Sequence, residues 1–486
     1  MAKRSWNFRG QALSLAQILT VVCPAYVLFG YNQSGLGSLT SLSDWVKHFP
    51  EIDTVNTTGA QKSHNATIQG VVIATFTLGA LPGYLSCSYT ADKFGRRPVI
   101  FMGIIIGRTI LGVGIGMLSG TVPTWQSECS SSKNRGKHVV LDGLFIALGY
   151  MLQAWINLGF YQYKIGPVTW RAPTAIPFAF ELMLMVSIVF LPDSPRWLAR
   201  QGRVEEARAS LASFRDANKD APAITAELAA IESSLEETAR SASSLKDLLT
   251  MGEDRLLYRF GICILLQFFQ QMSGGNLISV YSTTIFESGL SLGAQTSRLL
   301  SGGVLTWKFL SCFISFFTID RFGRRFALIV SGTGMATCML GLAVATSFPN
   351  SNYTAQIFSV FFVFLFNFFI PIGFLGANFL YCTEVSHPAS RCYVEYIDCK
   401  SLALYYIVFT CIGFCIPLSI YFLYPETMGR TLEDIDLIFR ESPSIWATVS
   451  YAKQNPGNDL LGTEDEKTRF GHEEKVEIAL NERVSD

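Results

Sequence analysis

The chain of 486 residues carries 38 basic and 38 acidic side chains, and a net charge of zero says little about partners because the charges are largely segregated into loops. Hydrophobic residues make up 49% and charged residues 16%, where soluble domains carry about 25% charge, and mean hydropathy is +0.31. This balance excludes a soluble enzyme and places the chain in a membrane.

Apolar runs of about 20 residues, each long enough to cross ~30 Å of hydrocarbon, are predicted over residues 13–35, 68–89, 99–121, 139–160, 174–191, 260–286, 299–319, 327–345, 357–381 and 402–423. The predicted fold class is therefore an all-α membrane protein. The first run follows Lys3, Arg4 and Arg9; it is too long for a signal-peptide core and lacks a clear cleavage site, so it reads as a retained helix. Residues 193–254 are polar and rich in Glu, Ala and Ser, the composition of a helical linker, and the chain is polar again from Thr427 onward. The expected division is a first transmembrane half (1–191), a cytoplasmic linker (192–256), a second transmembrane half (257–426) and a cytoplasmic tail (427–486).

Basic loops set the orientation. Lys93, Arg96 and Arg97, then Lys133, Arg135 and Lys137, then Arg196 and Arg200, and later Arg321, Arg324 and Arg325 are all placed in the cytoplasm. Glycosylation acceptors at Asn56, Asn65 and Asn352 fall in loops that this scheme puts outside. Asn32 begins the same pattern but lies within a run.

The charged loops repeat. Asp92-Lys93-Phe94-Gly95-Arg96-Arg97 returns as Asp320-Arg321-Phe322-Gly323-Arg324-Arg325. Glu128 with Arg135 is echoed by Glu384 with Arg391, and Pro192-Asp193-Ser194-Pro195-Arg196 by Pro425-Glu426-Thr427-Met428-Gly429-Arg430. A membrane chain with duplicated inter-helix loops points to a transporter whose site lies between its halves. Arg96, Arg97, Arg324 and Arg325 beside Glu128 and Glu384 suit a cytoplasmic charge latch, with Asp92, Arg135, Asp320 and Arg391 completing it; their simpler role is to set topology.

The same landmarks show that both halves are short. Asp92 and Glu128 are 36 positions apart, but Asp320 and Glu384 are 64 apart. Arg135 and Pro192 are separated by 57 positions, Arg391 and Pro425 by only 34. Each difference is about the length of one span, so a six-plus-six plan is expected with about ten spans present. Residues 98–126 and 392–423 then each enter the membrane and return, or span it incompletely.

Cysteines at 23, 87, 263, 312, 338, 411 and 415 lie inside runs without metal-ligand spacing, and read as small apolar packing residues. No nucleotide-binding loop occurs, which argues against direct drive by ATP. No metal and no cofactor is expected.

The ordered strings Phe29-Gly30-Tyr31-Asn32-Gln33, the two D-[KR]-F-G-R-R loops, Val122-Pro123-Thr124-Trp125-Gln126-Ser127-Glu128-Cys129, Trp170-Arg171, Pro192 to Trp197, Gln270-Gln271-Met272-Ser273-Gly274-Gly275-Asn276 and Pro425-Glu426-Thr427 resemble those of sugar porters of the major facilitator superfamily, the fungal branch above all. The resemblance runs from about Asn7 to Phe439 and implies twelve helices in two halves that rock around a central site. Against that pattern the third helix is collapsed into residues 99–106 and the eleventh is missing after Arg391.

Gln270, Gln271 and Asn276 place three amides within two turns, and an amide both donates and accepts, as a sugar hydroxyl requires. Their simpler role is to join helices; the resemblance makes them substrate ligands, with Gln153 and Asn378 as additions. Phe379 stands where the family often carries Trp. Asn32 stands where proton-coupled relatives carry Asp, which implies facilitated diffusion and leaves Arg108 without its expected partner. Intramembrane charges tend to be functional or paired. Two further charges lie inside runs: Glu181, and Lys308, where the family often has an uncharged polar residue. Lys308 can favour an anionic substrate, pair with Glu181 or mark a decayed site.

The expected function is therefore facilitated transport of a sugar, polyol or related metabolite by alternating access. Export of a secondary metabolite and an incomplete, non-transporting product stand as alternatives. A nutrient receptor is disfavoured because the tail is short. The expected partners are a small polar substrate and the lipid bilayer, not nucleic acid, and the chain is expected to act as a monomer in the cell membrane with both termini cytoplasmic.

Overall fold

A computed structural model describes residues 8–39, 42–48, 57–94, 111–130, 135–163, 168–240, 255–348, 352–375, 377–385, 405–428 and 432–454, with a few positions between them. Apart from the short helix Ser43–His48 and the helices of the linker and tail, these residues form ten helical rods. The first, α1, joins Gly10–Gln17, a π-helical turn Ile18–Val22 and Cys23–Leu39. Next come α2 (Gly59–Phe94), α3 (Leu111–Cys129) and α4 (Arg135–Tyr163), followed by α5, which joins Val168–Ala175 to Pro177–Phe190. The rod α6 is built from Leu256–Met272, Gly275–Val280, Ser282–Thr284 and a π turn Ile285–Gly289. Then follow α7 (Ala294–Phe322), α8 (Arg324–Thr346), α9 (Tyr353–Gly373, then Ala377–Val385) and α10 (Tyr405–Leu423). Among the described residues six stretches are long and apolar enough to cross a membrane: Gly10–Gly35, Val140–Tyr163, Val168–Phe190, Ala294–Ile319, Arg324–Thr346 and Tyr353–Gly373.

Three boundaries differ from the hydropathy reading. The third run, predicted over 99–121, is helical over Leu111–Cys129. Thr121, Trp125 and Gln126 are buried in the bundle, so a helix continues through polar residues that hydropathy counts as its end. The predicted runs 260–286 and 357–381 are each interrupted. In α6 Gly274 takes a left-handed φ of 80° between two helical pieces; in α9 the helix stops at Gly373, just after Pro371. The collapsed third helix (99–106) and the missing eleventh (after Arg391) lie outside the described residues.

Packing is set by small residues where rods cross. A Cβ on Gly30 of α1 would lie 2.2 Å from the Ile146 carbonyl oxygen, and one on Gly149 of α4 would lie 2.4 Å from that of Val27. The two backbones meet at glycines from both sides, as close helix packing in lipid requires. Within the first group α2 packs on α3 and α1 on α4; within the second α8 packs on α9 and α10. The groups meet where α4 lies along α7 and where α1 touches the second part of α6.

The linker is helical over Pro195–Arg200, Val204–Arg215 and Pro222–Arg240. It has its own small core of Trp197, Leu198, Ala207, Leu211, Ile224 and Leu228. Arg215 forks onto Glu227 at 2.6 and 3.1 Å. The tail is more than a polar extension. Its helix Leu432–Glu441 buries Ile435, Ile438 and Phe439, and Asp436 pairs with Arg259 at 2.6 Å.

Candidate functional site

Both helix breaks fall at the predicted amides. Asn378 opens the second piece of α9 and is fully buried; its Nδ2 donates to Gln270 Oε1 at 2.8 Å and to Gln267 Oε1 at 3.2 Å. Gln270 Nε2 in turn donates to the Phe374 carbonyl at 3.1 Å, one of the carbonyls that a helix end leaves without an intrahelical partner. Across the break in α6, Asn276 Nδ2 donates to Gln271 Oε1 at 2.8 Å. Gln270, Gln271 and Asn276 are half-buried, so they are covered but reachable. Gln153 of α4 is buried and donates to the Gly35 carbonyl at 3.2 Å, tying α4 to the end of α1. The Phe379 side chain is not described. Discontinuous helices whose ends face a polar site are a recurrent way to build a transport pocket.

Gln267 belongs to this network and was missed by the sequence reading, although it stands three residues before Gln270 on the same helix face.

Lys308 is 1% exposed. Its Nζ donates to Ser279 Oγ at 2.7 Å and lies 4.6 Å from the centroid of the Tyr150 ring. Ser279 lies on α6 and Tyr150 on α4, so this ammonium sits at the seam between the two groups of helices. The pairing with Glu181 considered from sequence does not form. Glu181 is buried on α5, which packs on α1, and Lys308 takes the serine and the ring instead. The same seam holds a Trp155 Nε1 bond to Thr306 Oγ1 at 2.8 Å. At its end Arg298 lies 4.1 Å from the Tyr161 ring centroid and 3.7 Å from Glu287.

Asn32 turns back on its own helix, with Nδ2 donating to the Leu28 carbonyl at 2.9 Å. Its expected neighbour Arg108 lies outside the described residues. Among the glycosylation candidates Asn352 is exposed and caps α9, its side-chain oxygen accepting from the Thr354 and Ala355 amides at 3.1 and 3.4 Å. Asn65 is the exception to the external-loop reading: it lies inside α2, is buried, and donates Nδ2 to the Asp53 carbonyl at 2.8 Å. A buried, engaged amide is no acceptor for an oligosaccharide. Asn56 lies outside the described residues.

The charge latch is visible in part. Arg96, Arg97 and Arg391 lie outside the described residues, and the side chains of Asp92, Arg135, Asp320 and Glu384 are not described. Glu128 is half-buried at the end of α3. Around Arg324 and Arg325 the organiser is Glu426, from the repeated proline-acid string. Its carboxylate accepts the amides of Arg324 and Arg325, both at 3.0 Å, and those of Thr427 at 3.0 Å and Met428 at 3.1 Å. An anion on free N–H groups at a helix start is stabilised by both hydrogen bonds and the helix dipole. The Arg325 guanidinium reaches the Tyr421 carbonyl at 2.6 Å. Glu426 was legible as a repeated motif but not as a helix cap, because its partners lie about a hundred positions away.

Among the described residues no cluster of His, Cys, Asp or Glu has the makings of a metal site.

Three comparisons bear on this arrangement. The model of the family described as "Sugar (and other) transporter" matches in two stretches, residues 18–106 and 101–397. The sugar transporter STL1 of Saccharomyces cerevisiae is 29% identical over 540 aligned positions, covering 99% of this chain and 93% of its own. Since 540 exceeds 486 by 54, that relative carries at least 54 residues opposite none of this chain. The low-affinity glucose transporter HXT1 of the same yeast is 27% identical, with 87% and 81% covered. Among solved structures, the proton:xylose symporter XylE bound to 6-bromo-6-deoxy-D-glucose superposes with a TM-score of 0.74 at 19% identity, covering 88% of this chain and 100% of its own. At that identity the likeness concerns the fold, a multi-pass helical bundle of the major facilitator type. With the family model matched over most of its length, the chain belongs to the sugar (and other) transporter family of the major facilitator superfamily.

Proposed function

We propose that the chain carries a small polyhydroxylated solute across the cell membrane by alternating access and without proton coupling at the first helix. The observation that supports this most is the amide set on the two broken helices, Gln270, Gln271 and Asn276 on α6 and Asn378 on α9. Each amide offers a donor and an acceptor at once, and polar side chains at membrane depth belong on a protein-lined cavity. Gln153 across the seam completes a ring of ligands from both halves, and Phe379 supplies an aromatic face. Asn32 in place of a titratable acid supports passive flux. In this reading the linker and tail are cytoplasmic, Asn352 is external, and Asp92, Arg96, Arg97, Glu128, Arg135, Asp320, Arg324, Arg325, Glu384 and Arg391 form the inner latch of a monomeric carrier.

The two-part family match, which meets at residues 101–106, supports a chain short of a span there. The experiment is uptake of labelled hexoses and polyols by cells lacking their own carriers. Gln271→Ala is expected to raise the Michaelis constant about fivefold or more, because one hydrogen bond lost in a shielded site costs about 1 kcal/mol. Unchanged kinetics at unchanged membrane abundance would remove these amides from the site.

A further inference from the structure

Four basic side chains are buried among the described residues: Arg259, Arg298, Lys308 and Arg324. Two of them pair with a carboxylate through the side chain. Arg259 pairs with Asp436 at 2.6 Å and Arg298 with Glu287 at 3.7 Å, while the Arg324 backbone amide, next in the chain to Gly323, donates to the Glu426 carboxylate at 3.0 Å. Lys308 has the Ser279 hydroxyl and the Tyr150 ring. A hydroxyl dipole and a ring quadrupole stabilise an ammonium but leave its charge uncancelled. A charge withdrawn from water is costly until an opposite one is brought to it.

The position of that charge says where the opposite one comes from. Ser279 is one helical turn beyond Asn276, and Tyr150 is one turn before Gln153. The ammonium therefore lies between α6 and α4, two of the helices that supply the candidate hydroxyl ligands, at the seam a carried solute has to pass. We infer that the solute is a hydroxylated carboxylate, a sugar acid, whose carboxylate meets Lys308 while the amides of α6 and α9 take its hydroxyls. This rests on the carrier reading above and narrows it to a charged substrate class. Binding moves the Ser279 hydroxyl to one side of the ammonium and brings a charge-assisted hydrogen bond to the other.

The test compares D-gluconate with D-sorbitol, which share a six-carbon hydroxylated skeleton and differ in the carboxylate. Cells expressing the full chain with a fluorescent tag, to read abundance, are given each compound in labelled form. The expected result is gluconate uptake that exceeds sorbitol uptake and falls at least tenfold in Lys308→Met, with sorbitol uptake kept or raised, while Lys308→Arg retains the preference for the acid. If Lys308→Met lowers abundance, inhibition of wild-type sorbitol uptake by excess gluconate decides, and its absence overturns the inference. Equal loss of both uptakes at normal abundance makes Lys308 a structural contact and also overturns it. Sorbitol uptake that needs chloride, and loses that need in Lys308→Met, assigns the charge to an inorganic anion instead of the substrate. A wild-type chain that carries sorbitol but neither carries nor is inhibited by gluconate defeats the charged-substrate inference alone. A chain present in the membrane that carries neither compound defeats the carrier reading beneath it.

Discussion

Replacing Glu426 by alanine removes one carboxylate from four backbone amides, and the loss can be sized. The bonds to Arg324 and Arg325 join the end of α10 to the start of α8, a contact spanning 102 and 101 positions of sequence. Hydrogen bonds to a charged group contribute about 1.5–3 kcal/mol each, and an anion at a helix N-terminus adds about 0.3–1 kcal/mol. Water recovers part of this once the side chain is gone, so a net loss of roughly 2–4 kcal/mol is expected. Gly323 sharpens the test. It holds φ 88° and ψ 161°, a region open essentially to glycine alone, where another residue costs about 1–3 kcal/mol. A Cβ there would also lie 2.6 Å from Glu426 Oε2. Gly323→Ala in the wild type therefore suffers both strain and collision, but in a Glu426→Ala background only the strain. The double variant should be more stable than the sum of the single losses by about 1 kcal/mol or more. The assay is equilibrium unfolding of the purified protein in mixed micelles, followed by helical circular dichroism. Losses that add to within about 0.5 kcal/mol, or a Glu426→Ala loss near zero, would refute the assignment of Glu426 as the cap of α8.

Uptake should leave the external pH unchanged and should not raise the solute above the external concentration, because Asn32 has no proton to exchange; proton influx that disappears in Glu181→Gln would show that a buried acid has taken over. Arg298→Ala removes a cation from the Tyr161 ring, worth about 0.5–2 kcal/mol, and should raise the population open at that end of the seam about twofold to thirtyfold. Distances between spin labels on α4 and α7 measure this, and an unshifted distribution makes the contact incidental. Inserting about 25 apolar residues, one span, at 101–106 and again after Arg391 should raise abundance and activity; equal transport by the chain as it stands would show that the repeat spacing was misread.

Much of this architecture was legible in the sequence because hydropathy and repeated charges act over short stretches of chain. The helical spans, the linker and the amides of α6 and α9 follow from that local pattern. The helix breaks were less visible, since a run such as 260–286 stays apolar on average across Ser273 and Gly274. Gly274 with Gly275 and Asn276 is nevertheless a turn signal inside a span, and the left-handed conformation at Gly274 is its physical content. The tail was read as polar from its composition, while Ile435, Ile438 and Phe439 recur at helical spacing and are buried. Contacts between distant parts were not legible. Nothing local to Lys308 points to Tyr150, 158 positions earlier, and Arg259 gives no sign that it will join the Val385 carbonyl at 2.8 Å to Asp436.

The amides of α6 and α9 already bond to one another. Gln270 and Gln267 share Asn378, and Gln271 holds Asn276. A solute arriving there exchanges existing hydrogen bonds for new ones and gains little net enthalpy from each. In the proposed carrier these amides therefore add little net affinity for a hydroxyl and release it as readily. When the site is vacated, Asn378 returns to Gln270 without leaving a bare polar group at membrane depth. A carrier built this way can reset empty at little cost, and its throughput is then governed by how fast the two halves rock and not by how long the solute lingers.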